Sequence, residues 1–326
     1  MRPEPPPPIP LVRVRDRHPD PLDYRRVRGA MTNGEAIRVA PGSYANAAYW
    51  RGLTPIEQHR VRVYEAASRV RQVTVFSHHA AAAVWGIDIL GPWPQKVDTR
   101  VGRAAGGRST GLIARHALGV EGIDLRPWNG HLLTSPAQTA IDLAATMPYM
   151  HGVICLDQAL WRRRVGGPLA TFDELMDALG APGALRGAAR AERALHFATD
   201  ASDSVRESES RVAIDRLGFP APLLQHPFLL PSGRRVSVDF FFEAYSHVGE
   251  FDGTGKYLDR ALLAGRTPEQ ALLDEKDRED ELRRVVSAVS RWRTPALRDP
   301  RLLYDILCGD GLPSTRPRPP AGIRWQ

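Results

Sequence analysis

The stretch that decides the fold is RVSVDFFFE, residues 235–243, followed closely by HVGEFDG, residues 247–253. Side chains alternate across an extended strand, so Val236, Val238, Phe240 and Phe242 are expected on one face. Ser237, Asp239, Phe241 and Glu243 are expected on the other. The next strand places Glu250 and Asp252 two residues apart on one face. Working outward, Ser204 to Leu217 reads as a helix and Leu223 to Leu230 as a strand, with a turn at Pro231-Ser232-Gly233. Pro268 to Arg284 reads as a charged helix and Val285 to Trp292 as a last strand. The order is αβββαβ.

Upstream, Thr134 to Ala145 reads as a capped helix. Val73 to Phe76, Lys96 to Val101 and Leu112 to His116 read as short strands, and Ser77 to Trp85 as a helix. Gly102 to Gly111 lacks the order of a phosphate-cradling loop and reads as a hairpin tip. Thr54 to Val70 is a helix with a Thr54 cap, Pro55 in its first turn and Glu57 three residues on. Leu22 to Arg28 forms a short basic helix, and Ala36 to Tyr44 a hairpin turning at Pro41-Gly42. A short helix followed by a small hairpin is how a winged helix ends.

The expected class is α/β (α+β), divided into five parts. These are a Pro-rich solvated tail at 1–10, a truncated winged-helix-like region at 11–70 and an α/β domain at 71–199. The αβββαβ domain at 200–305 and a second tail at 306–326 complete the chain.

Composition bounds the function. The chain has 326 residues, with 44 Lys plus Arg against 37 Asp plus Glu and a net charge of +7. A basic surplus attracts polyanions, so DNA is the expected partner, with RNA as an alternative. Arginine supplies nearly all the positive charge; the lysines are Lys96, Lys256 and Lys276. No run of about 18 apolar residues occurs, so no membrane helix is expected. The start, MRPEPPPPIP, lacks an apolar signal core, and Cys155 and Cys308 are too few for a disulfide framework. A cytoplasmic setting is the expected one.

The candidate chemistry lies in the C-terminal strands. Asp239, Glu250 and Asp252 are acids on adjacent strands, and close carboxylates repel. A hard dication such as Mg²⁺ relieves that repulsion, with Asp239, Glu250 and Asp252 as its ligands. Glu207 on the preceding helix and Lys256 just after the second strand complete the set. Each residue also has a plainer reading. Glu207 lies three residues after Ser204, the spacing of a capping box. Asp239 can pair with Arg211 or Arg235, Asp252-Gly253 can be a turn, and Lys256 a surface lysine. In the first region Arg25, Arg26, Arg28 and Arg38 form a phosphate-contacting patch or a solvated basic face. If about six cations met phosphates, log affinity would fall with log salt at a slope of roughly −5. His78 and His79 are expected to point apart on a helix, which disfavours a metal there.

Two resemblances follow. Residues 203–300 resemble PD-(D/E)xK, restriction-endonuclease-like domains related to very-short-patch repair endonucleases. The stretches that carry this are Glu207-Ser208-Glu209-Ser210-Arg211, Leu217-Gly218-Phe219-Pro220 with Gln225, and Val238-Asp239-Phe240. Gly249-Glu250-Phe251-Asp252-Gly253 with Lys256-Tyr257, and Glu275-Lys276-Asp277-Arg278-Glu279, complete the set. The resemblance implies Mg²⁺ on Asp239 and Glu250, Glu207 as the helix acid, and Lys256 steadying the attacking water or scissile phosphate. The family pattern would put lysine at 252, where this chain has Asp252. Lys256 or Lys276 therefore substitutes, or the domain binds nucleic acid without cutting it.

The earlier regions resemble AbiEi-like type IV antitoxins. They do so through Ile37 to Tyr44, Ser77-His78-His79-Ala80-Ala81-Ala82 and Leu133 to Ala144. That resemblance implies a DNA-binding transcriptional regulator and a cognate toxin protein as partner.

Overall fold

The computed structural model describes residues 3–14, 21–106, 109, 111–181, 186–253, 268–323 and 325. The chain divides into two compact units, Met1–Asp200 and Ala201–Gln326. Both are mixed α/β, the expected class. Among the described residues no helix is long and apolar enough to cross a membrane.

Unit 1 begins with β1 (Leu11–Arg13), α1 (Pro21–Thr32), β2 (Ala36–Ala40), β3 (Ser43–Asn46), α2 (Ala47–Gly52) and α3 (Pro55–Ala67). The strands form an antiparallel sheet in the order β1-β3-β2. Its apolar face, Val39 and Ala45, packs with Trp50 and Val61. The α3 start carries the expected capping box: Glu57 accepts from the Thr54 N–H at 2.8 Å. Buried Glu65 of α3 ties the small sheet down. It accepts from the Arg13 guanidinium at 2.8 Å, the Ser43 hydroxyl at 2.5 Å and Arg69 Nε at 2.9 Å.

The second sheet is built from β4 (Val75–Phe76), β5 (Val97–Arg100), β6 (Ile113–His116), β7 (Leu125–Trp128) and β8 (His131–Thr134), in the order β6-β5-β4-β8-β7. Helix α4 (His78–Trp85) follows β4 directly. Helices α5 (Pro136–Thr146), α6 (Tyr149–Leu160), α7 (Phe172–Leu179) and α8 (Ala188–Phe197) follow β8. Two readings change here. β5 and β6 pair parallel, and a parallel pair cannot be closed by a hairpin, so the hairpin-tip reading between them does not hold. The β7–β8 hairpin was not expected. Its turn is Asn129-Gly130 with φ of 48° and 76°, the left-handed pair that two-residue hairpins favour.

Unit 2 runs α9 (Val205–Arg216), β9 (Leu223–Leu229), β10 (Arg235–Phe242), β11 (His247–Phe251), α10 (Pro268–Val285) and β12 (Ala288–Trp292). The αβββαβ order is the expected one. Helices α11 (Thr294–Arg298) and α12 (Pro300–Gly309) follow. The sheet order is β12-β11-β10-β9, antiparallel except for the parallel β11–β12 pair.

Strict alternation along β10 does not hold. Val238 and Phe241 share one buried cluster with Val248 and Val289 and with Leu282 and Val286 of the α10 segment. Phe240 instead packs on Trp292, whose indole N–H donates to Ser210 of α9 at 2.9 Å. The pattern breaks at Asp239. Between the pairs Val238–His226 and Phe240–Leu224 lies Gln225, with φ of 51°.

Both stretches read as solvated tails are held in place. The Glu4 N–H donates to the Val84 carbonyl at 2.8 Å, Tyr64 donates to the Glu4 carbonyl at 3.0 Å, and Glu4 pairs with Arg60. At the other end the Thr315 N–H donates to the Gly218 carbonyl at 2.9 Å, Arg316 donates to the Arg216 carbonyl, and Arg318 pairs with Asp305. Proline segments have few internal partners, so a handful of such bonds fixes them.

Gly249 leaves room for the Trp292 indole of β12. A Cβ there would stand 2.7 Å from Trp292 Cη2 and 2.9 Å from Cζ3. Gly249→Ala is expected to destabilise unit 2 by about 1–3 kcal/mol, measured as a lower urea midpoint with an unchanged slope.

Candidate functional site

Glu207 lies in the first turn of α9, which Ser204 caps; the reciprocal bond of a full capping box goes instead to the Asp203 N–H. The Glu207 N–H donates to Ser204 Oγ at 3.1 Å, and its carboxylate accepts from the Ser204 hydroxyl and the Asp203 N–H, both at 2.9 Å. It also accepts from Gln225 Nε2 at 2.9 Å, and Gln225 Oε1 accepts from Ser237 Oγ at 3.1 Å. The plainer reading of Glu207 therefore describes its contacts, with one addition: a polar bridge to β9 and β10. Burial pushes the Glu207 carboxyl up, and the three donated hydrogen bonds oppose the push.

Asp239 Oδ2 accepts from the Phe251 N–H at 2.9 Å, a bond between β10 and β11. Glu250 is only 7 % exposed. It is held by Arg278 of α10 and by Arg291 of β12, the latter at 2.7 Å. Burial raises its carboxyl pKa and nearby Asp239 adds to the rise; the two guanidiniums pull the other way. Asp252 pairs with Arg293 at 2.6 Å.

The two groups do not share a face. Val248 and Val289 pack with Leu282 and Val286, so Glu250 and Arg291, each two residues further along its strand, lie on the α10 face. Glu207 reaches Gln225 and Ser237 from α9, on the side where Trp292 meets Ser210.

This corrects the expected metal set. Guanidiniums stand beside Glu250 and Asp252 where a dication was expected, while Asp239 still adds to the rise at Glu250. Among the described residues no three His, Cys, Asp or Glu side chains are placed to hold one metal ion. As arranged, these residues do not fit Mg²⁺. Lys256 lies outside the described residues. Lys276 is exposed on α10.

In unit 1, Arg25, Arg26 and Arg28 are exposed on α1, and Arg38 is exposed on β2.

Sequence reasoning missed an imidazole cluster in unit 1. Asp98 of β5 accepts from His79 Nδ1 at 2.8 Å and meets His116 Nε2 at 2.8 Å. His78 stacks on His116 with centroids 4.0 Å apart and meets Ser77 Oγ at 2.9 Å. The two adjacent histidines do not diverge as helical neighbours would, because His78 has φ of 47°. His59 stacks at 5.1 Å on Trp93, which His79 meets edge-on. Beside the cluster, Arg100 Nη1 meets both carboxylate oxygens of buried Asp142, at 2.7 and 2.8 Å. The usable signals were Asp98 in an otherwise strand-like run and Asp142 inside an Ala-rich helix.

No family model matches the chain. It is similar to two uncharacterised proteins of Mycobacterium tuberculosis, from strains CDC 1551 and H37Rv. Each is 28% identical over 144 residues, covering 44% of this chain and 50% of the relative. The chain thus spans about half the length of the curated relatives it matches.

Burial lowers the His59 pKa to about 3 and the His78 pKa to about 4. Both stay neutral in the folded state, while the unfolded chain binds their protons below about 6.5. The unfolded state then holds more protons, so stability falls as pH falls. Unit 1 is expected to lose on the order of 1–2 kcal/mol for each of the two imidazoles between pH 6.5 and 5. Thermal unfolding across that range checks this, and His59→Phe is expected to flatten the slope.

Proposed function

We propose that this chain is a nucleic-acid-binding regulator of the AbiEi-like kind, whose C-terminal unit keeps a restriction-endonuclease-like frame without its metal chemistry. The observation that carries this is the pairing of Glu250 with Arg278 and Arg291 and of Asp252 with Arg293. A guanidinium beside each acid supplies the charge compensation that Mg²⁺ would supply in a cutting enzyme. The αβββαβ order and the sheet β12-β11-β10-β9 support the frame. Asp252 at the family's lysine position supports the loss of cleavage.

The exposed arginines of α1 and β2 support DNA contact. The sheet order β1-β3-β2 supports a wing: a strand before the helix pairs with the second strand of the hairpin after it. DNA is the favoured polyanion, because a helix plus hairpin suits a duplex groove, with RNA as the alternative. A cognate toxin protein is the partner the antitoxin resemblance suggests, in a cytoplasmic setting.

A second reading keeps Mg²⁺-dependent phosphodiester cleavage. The Glu207–Gln225–Ser237 bridge and the closeness of Asp239 to Glu250 favour it. In that reading Lys256 supplies the missing lysine.

The test has two arms. A gel shift on DNA upstream of the chain's own gene is expected to show salt-sensitive binding. The Arg25→Ala, Arg26→Ala, Arg28→Ala triple variant is expected to reduce the log–log salt slope by about 3. No binding, or an unchanged slope, overturns that arm. Plasmid DNA and RNA incubated with Mg²⁺ or Mn²⁺ are expected to stay intact. Cleavage that disappears in Asp239→Ala would establish the second reading instead.

A further inference from the structure

Residues 3–10, PEPPPPIP, have no helix or strand of their own, yet the arm they form lies in a seat built by α3, α4 and β7. The seat begins at the end of α4, where the last carbonyls of a helix have no partner inside it. The Ala83 carbonyl accepts from Arg60 Nε at 2.7 Å, and the Val84 carbonyl from the Glu4 N–H at 2.8 Å. Arg60 is 7 % exposed. With its Nε so held, its Nη2 pairs with the Glu4 carboxylate and its Nη1 reaches the Pro5 carbonyl. Gly86 closes α4 at φ of 76°, and a Cβ there would stand 2.5 Å from Glu4 Oε1, so the missing side chain makes room for that carboxylate.

Tyr64, one turn further along α3, supplies another donor. Its hydroxyl accepts from Trp128 Nε1 at 3.3 Å and donates to the Glu4 carbonyl at 3.0 Å. The two rings meet edge to face with centroids 4.8 Å apart. The arm therefore offers carbonyls and one carboxylate, and the groove answers with a hydroxyl and a guanidinium beside aromatic rings. Pro5 to Pro8 have no N–H to give, and their rings hold the chain extended before it binds. Aromatic-lined grooves take up proline-rich ligands in this way. The arm does not fill its groove: a cleft of about 370 Å³ stays open beside Pro6, Pro7 and Ile9, against Val61 and Tyr64.

We propose that the groove formed by Arg60, Tyr64 and Trp128 is a protein-interaction site for a proline-rich segment led by an acid, and that residues 3–8 hold it closed as an intramolecular ligand. The occupant in trans is a Glu-Pro-Pro-type segment of a partner protein. The arm can leave the groove with β1 in place. Downstream, Ile9 and Leu11 pack on the Val39, Ala45, Trp50 and Val61 cluster, and β1 pairs with β3. A tethered ligand competes at an effective concentration on the order of millimolar, so the closed chain binds a partner segment about tenfold to a hundredfold more weakly than the vacant groove. None of these residues is among the α1 and β2 arginines, so the site does not depend on DNA contact.

The probe is a fluorescein-labelled PEPPPPIP peptide, followed by fluorescence polarisation. In the full chain, residues 3–8 are replaced by a glycine-serine repeat, which vacates the groove and keeps Ile9 and β1. Saturable binding to this chain is expected, with binding to the unaltered chain about tenfold or more weaker. Two altered peptides vary the ligand and leave the protein untouched. Glutamine for the glutamate is expected to weaken binding about threefold to tenfold, and alanine for the prolines about tenfold or more. Should the replaced chain not fold, Glu4→Lys sets an ammonium against Arg60, opens the groove in the otherwise intact chain and takes the same titration. The proposal is overturned if the opened chain does not bind the peptide, if the unaltered chain binds it equally well, or if either altered peptide binds as tightly. A doubled mass of the unaltered chain that is lost on replacing residues 3–8 would give the groove to a second copy, and overturns it too.

Discussion

A carboxylate removed from water needs a counter-charge within reach, and Glu250 is where this rule shapes the C-terminal unit. The strand that carries it is buried along its whole length. Arg291 meets it from the neighbouring parallel strand, and Arg278 from the helix that crosses over between those strands. The three groups therefore join β11, β12 and α10 by charge as well as by the Val248–Leu282–Val289 packing. Such a pair adds little net stability over an apolar substitute, but removing one partner strands the other. Register is what it specifies best: a one-residue slip of β12 would turn Arg291 away from Glu250.

Unit 1 obeys the same rule with different partners. Glu65 is met by Arg13 and Arg69, Asp142 by Arg100, and Asp98 by two imidazoles. Much of the arginine surplus is thus spent inside the protein. The net charge of +7 is a fair guide to attraction for polyanions but a poor guide to which arginines meet them. Arg25, Arg26, Arg28 and Arg38 on α1 and β2 are among the arginines placed outward.

Element identity was largely legible. Thr54 with Glu57, Ser135 with Pro136, and Ser204 with Glu207 mark helix starts through local hydrogen bonds, and local bonds are written in local sequence. The run at 247–251 is buried throughout, so alternation along it marks no solvent face. The candidate site was legible only in part. Asp239, Glu250 and Asp252 were found, but the counter-ions of Glu250 and Asp252 lie 28 to 41 residues away in sequence. Nothing in the spacing pairs Glu250 with Arg278. The His78–His79 cluster stayed hidden for a related reason. A left-handed φ at a non-glycine residue is a tertiary imposition, and it accompanies a cluster in which His79 meets Asp98 while His78 stacks on His116, the other imidazole at that aspartate.

The sequence by itself determined the α/β class, the αβββαβ order and most helix starts, because periodicity and capping act over a few residues. Tertiary structure alone decided that β5 and β6 run parallel, that β10 changes face at Asp239, and that Glu207 and Glu250 lie on opposite sides of one sheet. Those outcomes depend on which distant side chain arrives to satisfy a buried charge or fill a buried volume. Competition of that kind is settled only when the whole chain has packed.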